Sequence, residues 1–294
     1  MFAIIGILVV FGGVIGGYLM ERGQIMVLFQ PAELVIIGGA ALGTLLIANP
    51  LHIIKQILGG LTGALKGSPF TTQRYLDSLK MLYDVFQRAR KEGLAAVESD
   101  VEEPEKSKIF TAYPQILKDH HTMNFVCDTL RTATSGAIDP FDLDQMMDLD
   151  MEVQHHDSSQ PISALSTVAD ALPGLGIVAA VLGVCITMGA IGGPPEEIGH
   201  KVAAALVGTF LGILLCYGLV GPLAANMAKI ADEEHAYLQV LRVCIAAFIK
   251  GTSPILAVEI GRRAIPGHVR PKFQEVEKTC RNKGGAAPAA AAAA

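Results

Sequence analysis

Four stretches of this chain carry no Asp, Glu, Lys or Arg: 1–20, 34–54, 171–195 and 202–228. Each reaches the roughly 20 residues that a helix needs to cross a hydrocarbon core. The pattern predicts four transmembrane helices, near 2–20, 33–50, 171–191 and 201–227. The first window has a length that a secretory signal would also have. It lacks a basic leading region and a small-residue cleavage site, so it is read as a helix that stays.

Between the second and third windows the pattern changes to helical amphipathicity. In TTQRYLDSLKMLYDVFQRARKEG, residues Tyr75, Leu79, Leu82, Val85 and Phe86 share one face and the charges take the rest. Gly93 interrupts this segment, and LAAVESDVEEPE predicts a short acidic helix after it. FTAYPQILKDHH and MNFVCDTLRTAT predict two more, the latter stopped by Gly136. Asp139-Pro140 supplies an N-cap and a proline at the first helical position. From there the chain runs helically into the third window. NMAKIADEEHAYLQVLRVCIAAFIKG predicts that the fourth helix continues past the bilayer.

No strand pattern stands out. The predicted fold class is all-α, an integral membrane protein with four transmembrane helices and a helical cytoplasmic domain. The expected division is helices one and two in 1–50, a cytoplasmic domain in 51–169, helices three and four in 170–228 and a helical tail in 229–283. A low-complexity Ala-rich end follows at 284–294.

Composition supports this reading. Of 294 residues, 51% are hydrophobic and 17% charged, and the mean hydropathy is +0.44. A net charge of −5 argues against nucleic acid as the main partner. Of 23 Lys and Arg, 11 lie in 51–170 and 10 lie after 228, leaving only Arg22 and Lys201 in the two short loops. By the positive-inside rule both termini and the insertion are cytoplasmic, in a bacterial inner membrane. Cys127, Cys185, Cys216, Cys244 and Cys280 have no ligand-like or disulfide-like spacing. His120/His121 and His155/His156 lack neighbouring metal-ligand spacing and read as surface residues.

Small residues recur four apart: Gly12/Gly16, Gly13/Gly17, Gly39/Gly43 and Gly208/Gly212. Such faces let helices approach closely, within one chain or between subunits. The four windows offer no carboxylate, while a proton relay needs a group that binds a proton midway across the membrane. Thr44, Thr187, Thr209, Tyr217, Cys185 and Cys216 are the only polar side chains of note. If this chain conducts protons, a partner helix must bring the acid. Pro173 and Pro222 lack an N–H and crowd the carbonyls of Ala169 and Gly218, so each should bend its helix and free an acceptor. That acceptor must face protein or a wet cavity. Asp170, one turn before Pro173, is either an interfacial charge or a cation attractor at a pore mouth.

QPAELVIIGGAALGT (30–44), DALPGLGIVAAVLGV (170–184) and AALVGTFLGILLCYGLVGPLA (204–224) resemble the MotA/PomA family of flagellar stator proteins, within the MotA/TolQ/ExbB superfamily. The likeness runs from Met1 to about residue 275. It implies five such subunits around two MotB-like partners, whose single membrane helix carries the proton-binding aspartate. It also implies that Pro173 and Pro222 couple ion flow to torque, and that Thr209 and Tyr217 lie on the pore-facing helix. Ala180 stands where sodium-driven relatives have threonine, which favours H+ over Na+. RARKEGLAAVESDVEEP resembles the segment that touches the rotor protein FliG, with Arg90 and Glu98 at the matching positions and Lys91 and Asp100 assisting. Asp148 and Asp150 also fall where the family has acids. No covalent chemistry, nucleotide site or cofactor is expected. The alternatives are an ExbB/TolQ-like energiser, a sodium-driven PomA-like stator and a non-conducting scaffold. The energiser has three membrane helices and lacks the hairpin of helices one and two.

Overall fold

The computed structural model describes residues 2–136, 138–189 and 191–281; the Ala-rich end expected at 284–294 lies outside them. Its helices are α1 (Phe2–Met20), α2 (Ile25–Leu28), α3 (Pro31–Ala48), α4 (Leu51–Lys66), α5 (Thr72–Glu92), α6 (Glu98–Glu102) and α7 (Pro114–Leu117). There follow α8 (His120–Thr134), α9 (Pro140–Met188), α10 (Pro195–Leu215), α11 (Gly221–Ile249), α12 (Pro254–Ala264) and α13 (Phe273–Arg281). No strand occurs among the described residues. Among the described residues, four helical stretches are long and apolar enough to span a bilayer: Phe2–Met20, Ile25–Ala48, Pro140–Met188 and Pro195–Ile249.

The chain forms two compact units. The first joins Met1–Ser68 to Asp157–Ala231, and the second joins Pro69–His156 to the residues from Asp232 onward. The first unit therefore takes in α4, a helix that the sequence pattern did not predict and that lies in the stretch 51–169 assigned there to the cytoplasmic domain. Asn49-Pro50 ends α3, and the Asn49 N–H donates to the Leu45 carbonyl. The new helix then turns Ile53, Ile57 and Ala64 into a core with Ala164, Leu165, Ala224 and Met227. A second cluster in this unit holds Ile37, Ala41, Ala169, Leu172, Ala179 and Cys216. α1 buries no residue within the chain.

The second unit has the ordinary logic of a water-soluble core. Tyr75, Leu79, Leu82, Val85 and Phe86 on α5 are all at most 1% exposed, as the amphipathic pattern predicts. Phe86 stacks on Phe248 with ring centroids 4.3 Å apart. Thr71 caps α5 by accepting from the Arg74 N–H, and Gly93 ends it at φ 91°, a conformation that side chains with a Cβ resist. Asp119 caps α8 and Gly136 follows it at φ 67°. At Asp139-Pro140 the capping carboxylate accepts from the Phe141 N–H at 2.8 Å, and α9 begins as expected. The helix expected over FTAYPQILKDHH is instead a 3₁₀ turn at Phe110–Ala112 and the four-residue α7, because Pro114 starts a new helix. The acidic segment is likewise split, into a 3₁₀ turn at Leu94–Val97, α6 and a second 3₁₀ turn at Pro104–Lys106.

Burial and charge pairing fix this unit internally. Arg74 pairs with Asp119 and lies 5.0 Å from the centroids of both Phe70 and Tyr237. The Tyr237 hydroxyl meets Ser78 Oγ at 2.5 Å. Burial, reinforced by Tyr237, pushes the Tyr75 phenol up to about 12. Burial alone is the main cause that pushes the Cys127 and Cys280 thiols up to about 12.

Candidate functional site

The site in the first unit is a seam between α9 and α10 whose contact surface is almost all backbone. A Cβ built on Gly212 would stand 2.5 Å from the Leu172 carbonyl oxygen and 3.0 Å from the Gly176 Cα. One built on Gly176 would stand 2.7 Å from the Gly208 carbonyl oxygen and 3.3 Å from the Thr209 Cα, and one on Gly183 2.7 Å from Ala205 Cβ. In lipid, where apolar burial gives helices no drive to associate, such close approach supplies the dispersion that holds them. The expected role of Gly208/Gly212 is thus seen, and its counterpart is Gly176 and Gly183 on α9. By contrast Gly12, Gly13, Gly16, Gly17, Gly39 and Gly43 face open space within the chain.

Pro173, Ala180 and Thr209 border this seam, each half-buried. Asp170 is exposed on α9. α9 runs through both Pro161 and Pro173 as one helix of 49 residues. Pro222 acts differently. The turn before it, Cys216–Val220, is a π-helix, and the Gly221 N–H donates to the Cys216 carbonyl five residues back. Gly221 is needed there, since a Cβ would lie 2.8 Å from that carbonyl oxygen. At Pro222 the helix thus carries a widened turn, a feature that recurs at functional sites. Tyr217 lies in this turn and is 73% exposed, while Cys216 beside it is buried. Pro222 also lines a cavity of about 580 Å³ between α1 and α11, whose wall includes Gly218, Asn226 and Lys229.

The four charge-free windows hold no carboxylate, but one acid stands at the edge of the second. α3 starts at Pro31, so Glu33 belongs to its first turn, and this residue is only 7% exposed. Among the described residues its Oε2 has no hydrogen-bond partner. The charge-free window opened one residue later and missed it; the acid's place at the head of an apolar run was the available signal. Of the polar groups in the spans, Thr44 and Thr187 hydroxyls donate to the backbone carbonyls of Ala41 and Gly183, each at 2.9 Å.

In the second unit, Arg90 and Lys91 end α5 and Glu98 starts α6, all three exposed and without an ion-pair partner among the described residues. Asp100 differs from its expected assisting role at a contact surface. It is 4% exposed, paired with Arg88 at 2.5 Å, and accepts from Ser107 Oγ at 2.7 Å. With Val97 and Val101 buried on either side, this clamp fixes the angle at which Arg90 and Glu98 are presented. Asp148 pairs with Arg242, whose Nε also meets Asp144 at 2.8 Å, so it ties α9 to α11 within this unit. Asp150 accepts from Gln154. His120, His121 and His156 are exposed, whereas His155 is half-buried with its ring centroid 4.9 Å from that of His235.

Four apolar stretches of spanning length, a glycine-lined seam and a prolyl π turn define the class of multi-pass helical membrane proteins. Comparison with known proteins narrows that class. A family model described as "Motility protein A N-terminal" matches residues 4–93, and one described as "MotA/TolQ/ExbB proton channel family" matches 117–239. The chain is 40% identical to motility protein A of Escherichia coli over 96% of this chain and 95% of that one. It is 38% identical to motility protein A of Salmonella typhimurium over the same shares. A solved MotAB from C. jejuni has the same fold, with a TM-score of 0.74 at 16% identity over 90% of this chain and 95% of that one. The MotAB stator complex of Bacillus subtilis gives 0.73 at 21% identity over 94% and 98%. The chain belongs to the motility protein A family of flagellar stator subunits.

Proposed function

We propose that this subunit, assembled as a pentamer around two copies of a MotB-like partner, conducts H+ and turns proton-motive force into torque on a FliG-type rotor. The observation that carries this reading is the α9–α10 seam. Pro173, Ala180 and Thr209 border it, and no charged residue occurs in 171–195 or 202–228 to bind a proton midway. The mid-membrane acid is therefore the partner's, in keeping with the MotAB complexes whose fold this chain shares. Both termini and the second unit face the cytoplasm, as the distribution of Lys and Arg supports.

Each proton brings about 2.3 kcal/mol per 100 mV from the electrical term. Neutralising the partner's carboxylate removes the cost of a charge in a low-dielectric pore, and the ring then steps. Pro173 and the π turn at Pro222 serve as hinge and gate, with Asp170 at the mouth, Thr209 and Tyr217 along the path and Ala180 leaving no hydroxyl to replace the hydration of Na+. Arg90, Lys91 and Glu98 form and break exposed pairs with the rotor, each worth about 1 kcal/mol or less. Such weak contacts suit a stepping interface.

The test is proton flux and swimming in cells co-expressing the partner. Pro173→Ala is expected to abolish swimming and change flux while the complex still assembles. Unchanged flux and swimming would remove the coupling role from Pro173.

A further inference from the structure

Glu33 stands apart from every other acid in the apolar unit. Oε2 lies where a Cβ on Gly208 would come within 2.5 Å of it, and that same Cβ would meet Ala179 Cβ at 3.0 Å and the Ala180 N at 3.2 Å. The carboxyl thus sits in a cradle that exists because residue 208 has no side chain. Its neighbours there are the backbone and methyl groups of α9 and α10, beside Ala180 and Thr209. The titratable groups on the surrounding elements are few. α3 has no other, and α2 has none. On the part of α9 in this unit and on the π turn there are Asp157, the exposed Asp170, the thiols of Cys185 and Cys216 and the Tyr217 phenol. α10 opens with Glu196, Glu197, His200 and Lys201, where Lys201 is held by Glu197 at 2.9 Å. α4 brings His52, Lys55 and Lys66, and Glu21 and Arg22 lie in the turn before α2. None of these hydrogen-bonds to Oε2.

A helix N-terminus welcomes an acid, and an acid serving only the dipole would remain in solvent. Glu33 is instead buried with an oxygen unsatisfied. An ionised carboxylate left so costs several kcal/mol, and binding a proton is the cheapest remedy. We propose that Glu33 is a proton-binding site of this chain, which holds a proton in the α3–α9–α10 cradle and exchanges it with the ion path bordered by Ala180 and Thr209. The role rests on the proton-coupled reading above. It gives the subunit an acid of its own near one end of the path, in addition to the partner's acid midway.

The experiment uses the complete stator complex reconstituted in liposomes with its partner. Infrared difference spectra follow the protonated-carboxyl C=O stretch across a pH titration, and proton flux is measured over the same range. The wild type should show a protonated-carboxyl band that Glu33→Gln removes and Glu33→Asp moves. Flux in Glu33→Gln should differ by about tenfold at the titration flank, the change that a one-unit displacement of a proton equilibrium brings. Gly208→Ala keeps the carboxyl but fills its cradle, and should shift the band. It also serves as the readout if Glu33→Gln does not assemble: an unshifted band in Gly208→Ala then overturns the assignment. The partner's acid contributes a band of its own, so the readout is the wild-type minus Glu33→Gln difference: a difference spectrum with no protonated-carboxyl component, or a flux profile superimposable on the wild type, overturns it as well. The band is read independently of the coupling ion. A complex that runs on Na+ but keeps the Glu33 band would refute the proton-driven reading and leave the proton-binding assignment standing.

Discussion

The α9–α10 seam and the α5–α6 corner solve the same problem, fixing two helices at a set angle, by opposite means. The seam does it with absent side chains. Gly176, Gly208 and Gly212 bring backbones together, and no ion pair takes part. The corner does it with a buried charge pair, Arg88–Asp100, braced by Ser107 and flanked by Val97 and Val101. Lipid explains the difference. It makes apolar side chains indifferent to one another and buried charges expensive, so steric fit remains as the source of specificity. Water on the second unit restores both hydrophobic drive and the use of ion pairs as anchors.

The comparison can be broken first at the seam. Gly212→Leu places a side chain against the Leu172 carbonyl, a rigid backbone atom, and should abolish assembly and swimming together; recovery of intact complex by size-exclusion chromatography checks this. Asp100→Ala leaves Ser107 Oγ without its acceptor and Arg88 with only the exposed Glu92, and should cost about 2–3 kcal/mol, read as a lowered Tm of the purified complex. Arg90→Glu, two residues from the clamp and exposed, should leave Tm unchanged and yet stop swimming if the proposed rotor contact is its role. If Arg90→Glu lowers Tm as much as Asp100→Ala does, the separation between clamp and contact surface is wrong. The smallest effect is expected from Ala180→Thr. The half-buried position should accept the extra hydroxyl with about 1 kcal/mol of strain or less. Swimming should persist on a proton gradient, with any change confined to Na+ sensitivity.

Parts of this were legible in the residues alone, for physical reasons that can be named. The face of α5 follows from periodicity because water enforces it, and the Asp139-Pro140 start of α9 follows from local capping chemistry. The four spans follow from the cost of charge in lipid. That same rule hid Glu33, since a window drawn around missing charges ends where the first charge stands. The end of helix two near 50 was legible, but the helix that restarts after Asn49-Pro50, α4, was not. The π turn at Cys216–Val220 is silent in hydropathy, which reports side chains and not which carbonyl an N–H reaches; Gly221-Pro222 hints at it only through sterics. Asp100 and Glu98 look alike in sequence, two acids in one short run. Only the fold turns one inward and leaves the other free.

The central claim is that the subunit is driven by protons through an acid supplied midway by its partner. The most direct measurement is motility rescue in a stator-null host, with the proton and sodium gradients set independently. The account predicts that swimming ceases when a protonophore collapses the proton gradient and continues when sodium is removed. Swimming that survives the protonophore and stops without sodium would contradict it.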